Sequence, residues 1–405
     1  MSKIKIILLL LWAAVAASAQ ETEEPDTFQV DTIDVALPWP QNIQYRLDSL
    51  LRHPMFETST VGLEVYDLTA DSILYKVNEH QMLRPASTMK LLTAITAIDK
   101  LGGSYQFRTQ LYYTGKVENH TLTGDLYCVG GFDPRFNIDD MNAFVESIRH
   151  MGVDTIRGSI VADRSMKDAD LLGEGWCWDD DNPPLSPLTI GRNTQFVDRF
   201  IRQLVDDGVV LDVRVSDGTL PDSAFHLCSR FHSIDQILLR MMKQSDNFYA
   251  EAMFYQLAAH QDHRPARAKD AAAIVKRLIS KVGLGHRPYR IADGSGLSLY
   301  NYLSADLEVR LLRYAYRNST VYLHLLPSLP VAGSDGTLRN RMRGSFAADN
   351  VKAKTGTLEG VSALAGYCTA ANDHRLCFSI INQGVMHTSN ARRFQDRVCN
   401  ALCAP

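Results

Sequence analysis

Beyond its first twenty residues the chain has no apolar run approaching the roughly 18 residues a membrane-spanning helix needs. It also lacks any run of Lys and Arg, and a net charge of −4 over 405 residues argues against a nucleic-acid partner. No Cys-x-x-Cys pair or zinc spacing is present. The Asp179-Asp180-Asp181 run does not alternate as EF-hand ligands do, and His260, Asp262 and His263 have no second ligand cluster. Neither a metal nor a cofactor is therefore expected. Internal repeats and low-complexity runs are missing too, which excludes solenoids and arrays.

Seven cysteines are present, an odd number that fits an oxidising compartment but leaves one unpaired. They are Cys128, Cys177, Cys228, Cys368, Cys377, Cys399 and Cys403. Cys368 and Cys377 fall in adjacent predicted strands, and Cys399 and Cys403 share a helix face. Buried thiols and disulfides both remain open for them.

Apolar content of 45% and charged content of 22% are those of a globular chain, long enough for two compact units. Lys3 and Lys5 precede the apolar run Ile6 to Val15, and Ala17-Ser18-Ala19 offers a small-residue cleavage site. Residues 1–19 thus read as an export signal and 20–38 as a disordered leader. No cysteine follows the cut to carry a lipid. The mature chain is expected to lack a transmembrane anchor and to lie in the periplasm, soluble or peripheral.

The chain is organised around Pro85-Ala86-Ser87-Thr88-Met89-Lys90 and the apolar run after it. If a helix runs from Ser87, then Ser87 and Lys90 share a face, while Leu91, Ile95 and Ile98 form a buried stripe that Gly102-Gly103 ends. A hydroxyl beside an amine at a helix start becomes a nucleophile if the amine takes its proton. The spacing alone is weak, since Ser2 and Lys5 share it. Alternation around Thr69-Ala70-Asp71 predicts a hairpin just before this stretch. From about Arg108 to Phe225 the texture becomes short turn-bounded strands, among them Thr109–Thr114, Thr121–Val129 and Ile156–Ala162. Helical periodicity returns near Ile234. Three final strands follow, beginning at Ala353, Val361 and Arg375, and a closing helix comes after Ala391.

Three motifs stand in order: Ser87-Thr-Met-Lys90, Ser245-Asp-Asn247 and Lys354-Thr-Gly356. Together they are the signature of class A β-lactamases and penicillin-binding proteins. With Gly124-Asp-Leu-Tyr127, Gly175-Trp-Cys-Trp-Asp179 and Asp293-Gly-Ser-Gly-Leu-Ser298, the sequence resembles the serine D-Ala-D-Ala carboxypeptidase/endopeptidase family, the class C penicillin-binding proteins, over roughly residues 40 to 390. The resemblance implies an α/β (α+β) transpeptidase fold, an antiparallel sheet flanked by helices with an inserted β-rich domain. Residues 39–107 and 226–405 would form the catalytic unit and 108–225 the insert. It implies Ser87 as nucleophile, Lys90 as base, Ser245 as proton relay and Asn247 as orienting amide. Lys354, Thr355 and Gly356 would receive the substrate carboxylate and backbone, and the N–H groups of Ser87 and Thr357 the oxyanion. Peptidoglycan stem peptides and β-lactams are the implied partners. Asp163 resembles a family acid that meets the side-chain amine of the stem peptide's third residue. Family members place an Arg after the Asp-Gly-Ser-Gly-Leu-Ser loop, where this chain has Leu299, so weak recognition of that residue's carboxylate is expected unless Arg339, Arg341 or another cation supplies it. A β-lactamase is the competing reading within the fold, but no Glu-x-x-x-Asn element stands in a suitable place. A non-catalytic wall-binding protein is the other, and the intact motifs argue against it.

Overall fold

The structure, a computed structural model, describes residues 37–180, 182–260 and 264–405. The expected export signal and nearly all of the leader lie outside the described residues, as do Asp181, Asp262 and His263.

Helix α1 (Gln41–Leu50) precedes the hairpin of β1 (Thr60–Asp67) and β2 (Ser72–Val77). Asp67 shapes its turn, Oδ1 accepting the N–H groups of Thr69 and Ala70, each at 2.9 Å. Helix α2 (Met89–Leu101) is buried on every side from Met89 to Ile98, the mark of a central core helix. It ends at Gly102, whose φ of +83° suits glycine.

Next come β3 (Gln106–Tyr113), β4 (Lys116–Glu118), β5 (Thr121–Thr123), β6 (Leu126–Gly130), α3 (Ile138–His150), β7 (Thr155–Asp163), α4 (Phe196–Asp206), β8 (Val210–Asp217) and β9 (Phe225–Ser233). Their seven strands form one mixed sheet, with β7 parallel to β5, β6 and β8, and β3 antiparallel to β6 and β9. The expected single strand Thr121–Val129 is two, because Asp125 at the break turns its carboxylate to the Ser159 N–H (2.7 Å). The segment is not purely β either. Helix α3, absent from the sequence reading, is started by a reciprocal cap between Asn137 and Asp140. This sheet begins at Gln106 and ends at Ser233, outside the 108–225 span. Strand β9 passes straight into a helix capped by Ser233 and Gln236, and no loop marks the change.

The chain then forms α5 (Ile234–Lys243), α6 (Asn247–His260), α7 (Ala268–Lys281), α8 (Ala305–Arg317) and α9 (Ser319–Ser328). Strands β10 (Lys352–Leu358), β11 (Val361–Thr369) and β12 (Arg375–Gln383) and helix α10 (Thr388–Cys403) complete it. The second sheet is antiparallel throughout, ordered β10-β11-β12-β1-β2, with Thr60 paired to Gln383. Residues of β11 alternate between two cores. Leu364 and Cys368 pack with α1 and α10, whereas Ala365 and Tyr367 face α2 and α8, where the Tyr367 hydroxyl donates to Leu312 O (2.8 Å). The fold is therefore mixed α/β, an antiparallel sheet between helical layers with a β-rich second sheet.

That alternation also decides one cysteine question. Cys368 and Cys377 lie on neighbouring strands but belong to opposite faces, so they do not pair. Cys399 and Cys403 join Cys368 in the α10 core.

Candidate active site

Ser87 does not begin an α-helix. It sits in a 3-10 turn, Ala86–Thr88, and α2 starts at Met89. Ala86 has φ +48°, a left-handed conformation costing an alanine on the order of 1–2 kcal/mol. Neighbouring backbone holds it there. A Cβ on Gly296 would lie 1.8 Å from Ala86 O, and one on Gly356 would lie 2.7 Å from Pro85 O and 3.0 Å from Ser87 N. The two glycines let the Asp293–Ser298 loop and strand β10 close on the Ser87 turn. The Thr88 hydroxyl ties it from within, donating to Pro85 O at 2.7 Å.

Lys90, one turn into the core, is fully buried. Its Nζ lies 2.7 Å from Asn247 Oδ1, 2.8 Å from Ser295 O and 2.9 Å from Ser87 Oγ. The first two partners can only accept. A neutral amine would spend both N–H bonds on them and turn its lone pair to the Ser87 hydroxyl. Burial brings its pKa down to about 8, against the pull of the nearby carboxylates of Asp293, Glu251 and Asp246. Burial also pushes Glu251 up to about 8, helped by Asp293, while its carboxylate accepts the Gly294 N–H (3.0 and 3.2 Å).

The loop between α5 and α6 is organised by Asp246. Its Oδ1 caps α6 through the N–H groups of Phe248 (3.1 Å) and Tyr249 (3.4 Å). Its Oδ2 accepts from Arg240 Nε (2.8 Å) and from Arg192. Ser245, at φ +58°, is thereby presented to Lys354, whose Nζ donates to its hydroxyl at 2.9 Å and to Thr355 O at 2.7 Å. Lys354 is fully buried, and burial together with the Lys90 charge holds its pKa well below the ordinary lysine value. The Thr355 hydroxyl donates to Thr337 Oγ1 (2.8 Å), and Thr357 is exposed on the same strand. The three motifs thus converge on one site.

Two other candidates do not join them as expected. Asp163 ends β7 in the seven-stranded sheet, and its carboxylate accepts the N–H groups of Ser165 (2.9 Å) and Leu220 (2.7 Å). It closes local turns and lines a separate cavity, because its strand ends beside the far end of α2. Leu299 is half-exposed, and its carbonyl accepts from Arg84 Nε at 3.1 Å. Arg341 is held by Asp396 and Gln395.

Asp293, which opens the Asp293–Ser298 motif but is given no role by the sequence, organises that loop. Its carboxylate accepts Trp176 Nε1 (2.9 Å), Asn301 Nδ2 (2.7 Å) and the N–H groups of Gly296 and Ser298 (each 2.7 Å). Through Trp176, the Gly175-Trp-Cys-Trp-Asp179 stretch packs against the site loop. Among the described residues no group of His, Cys, Asp or Glu is placed to hold a metal ion.

A serine on a strained turn, a buried amine beside it and a second lysine–hydroxyl pair from an adjoining strand define a serine acyl-transfer hydrolase of the penicillin-binding type. Residues 43–198 and 192–402 match the D-Ala-D-Ala carboxypeptidase 3 (S13) family, and the chain belongs to that serine peptidase family. It is similar to the D-alanyl-D-alanine carboxypeptidase of Actinomadura sp. strain R39, 28% identical over 84% of this chain and 80% of that one. The D-alanyl-D-alanine carboxypeptidase DacB of Haemophilus influenzae is 25% identical over 86% of this chain and 89% of its own. A crystal structure of penicillin binding protein 4 (DacB) from that organism shares the fold, with a TM-score of 0.81 at 24% identity over 88% of this chain and 99% of that one.

Proposed function

We propose that this protein is a serine D-Ala-D-Ala carboxypeptidase acting on peptidoglycan stem peptides outside the cytoplasmic membrane. One observation carries the residue roles: Lys90 Nζ has two obligate acceptors and the Ser87 hydroxyl as its third partner. Neutral Lys90 takes the Ser87 proton as Oγ attacks the carbonyl of the penultimate D-Ala. The oxyanion lies between the N–H groups of Ser87 and Thr357, on backbones that Gly356 brings into contact. Ser245 relays a proton to the departing amine, while Lys354 and Thr355 receive the terminal carboxylate. An arriving carboxylate favours charged Lys354 and opposes the effect of its burial. Water then cleaves the Ser87 ester, giving the shortened peptide and D-Ala. No helix among the described residues is long and apolar enough to cross a membrane.

The purified protein is expected to release D-Ala from a pentapeptide muropeptide and to hold a fluorescent penicillin as a lasting adduct. Rapid turnover of the label would mark a β-lactamase instead, and no adduct a binding protein.

In this reading Arg84 supplies the cation missing at position 299. Its Nε reaches the Leu299 carbonyl, and its guanidinium lies 5.8 Å from the Tyr302 ring centre. Diaminopimelate peptides are expected to exceed matched lysine peptides in kcat/KM by about fivefold, as a half-exposed charge contact is worth on the order of 1 kcal/mol. Arg84→Ala should bring the ratio towards one and Leu299→Arg should raise it. A preference that neither substitution moves would place the carboxylate elsewhere.

A further inference from the structure

Two tryptophans stand two residues apart in Gly175-Trp-Cys-Trp-Asp179, with opposite fates. Trp176 is buried against the site loop, its indole N–H on Asp293 (2.9 Å). Trp178 is 89% exposed. Looseness does not put it there. The Asp180 carboxylate accepts the Cys177 N–H (2.7 Å) and the Asp180 N–H donates to Cys177 O (3.2 Å), closing a tight turn with Trp178 at its tip. Behind the turn, Glu174 pairs with Arg290 (2.7 Å), whose guanidinium lies 4.6 Å from the centre of the Tyr300 ring. Tyr300 in turn packs on Gly175, where a Cβ would meet the ring at 2.6 Å. Leu172, Leu299 and Tyr300, on or against the same loop, are half-exposed. A braced loop thus holds an indole in water beside other apolar side chains, and such a rim marks a binding surface.

The rim has a fixed relation to Ser87. Asp293 accepts both the Trp176 indole and the Gly296 N–H, and Gly296 lies against Ala86 O, so two hydrogen bonds and one backbone contact join that indole to the nucleophile's turn. On the function proposed above, on which this inference rests, the carbonyl of the penultimate D-Ala sits at Ser87. In a pentapeptide the four residues up to that carbonyl separate it from the sugar that carries the peptide, at most about 14 Å of extended chain. Trp178, two residues and at most about 7 Å beyond Trp176, stands at a distance of that order. Charge selects the occupant. From Asp168 to Gly191 the chain carries six Asp and Glu and no Lys, Arg or His. Such a loop repels an anionic lipid surface and the carboxylates of a stem peptide. An N-acetylated amino sugar has no charge, and its ring offers a face of C–H groups to the electron-rich face of an indole.

We infer that Trp178 stacks on the sugar ring from which the substrate's stem peptide hangs, so that the enzyme reads the glycan as well as the peptide. Trp178 is a specificity residue, remote from the reacting atoms. It adds affinity for a peptide still attached to its sugar and none for a free one.

The test compares D-Ala release from a disaccharide pentapeptide and from the same pentapeptide without sugar, in the full chain. Wild-type kcat/KM is expected to be about tenfold higher for the sugar-bearing substrate. Trp178→Ala should remove that advantage through KM, with kcat on either substrate within about twofold, because a contact kept from ground state to transition state changes affinity alone. Trp178→Phe keeps an aromatic face and should restore most of it. Penicillin acylation at the wild-type rate shows the variant's site to be intact. Equal use of the two substrates by the wild type, equal loss on both in Trp178→Ala, or a Phe variant no better than Ala overturns the assignment and leaves the carboxypeptidase reading standing. Wild-type binding to phosphatidylglycerol vesicles that Trp178→Ala abolishes also overturns it, by placing a lipid surface on the rim. Failure to release D-Ala from either substrate removes the carboxypeptidase reading itself.

Discussion

Ser87→Ala is expected to lower D-Ala release by more than about 10³-fold and to abolish the penicillin adduct, because removing the nucleophile of a covalent mechanism removes the chemical step. The fold should survive. Ser87 is only partly buried, its hydroxyl accepts a single side-chain bond from Lys90, and the turn is held by Thr88, Gly296 and Gly356. Wild-type thermal unfolding with no adduct by mass spectrometry is the expected pair of results. An adduct of unchanged mass in the variant would falsify the assignment of Ser87.

The second large effect is on pH. Lys90 acts as base only when neutral, and burial brings its pKa down to about 8 from the ordinary lysine value. The acylation rate constant for a β-lactam should therefore climb by about tenfold per pH unit at acid pH and level off above that pKa. An ordinary lysine would still be climbing two units higher. Glu251 titrates in the same range, and its charge stabilises the ammonium, so the inflection belongs to the pair. Glu251→Gln keeps an acceptor for the Gly294 N–H and removes the charge, which should move the inflection to lower pH. Lys90→Arg, permanently protonated, should not acylate at any pH. A flat profile between pH 6 and 9 would exclude Lys90 as the base.

The parts of the site written in contiguous residues were legible in the sequence. Ser87 with Lys90, Ser245 with Asn247 and Lys354 with Thr355 each lie within one turn or strand, and the geometry joins all three. What tertiary contact dictates was not legible. Ala86 carries no glycine-like signal for its positive φ, which the backbones of Gly296 and Gly356 impose. Asp163 reads as a strand-end acid, but that its carboxylate also closes turns at Ser165 and Leu220 was not visible in the sequence. Arg84 reaches position 299 only through the fold. Helix α9 escaped notice because Ser-Thr-Val-Tyr at its start and Pro327 near its end are poor helix formers, outweighed by burial of Val321 and Leu325.

The pairing of Thr60 with Gln383 puts one of the earliest strands beside one of the last. Strand β1 cannot take its place between β2 and β12 until the chain has been made nearly to its end, and Lys354 reaches Ser245 only on a strand joined to that sheet. Closing so long a loop is slow compared with forming local helices. A nascent chain paused anywhere before β12 thus has Ser87 but no sheet to hold it and no second lysine in place. The site is therefore assembled only once the last strands of the chain have taken their places in the sheet.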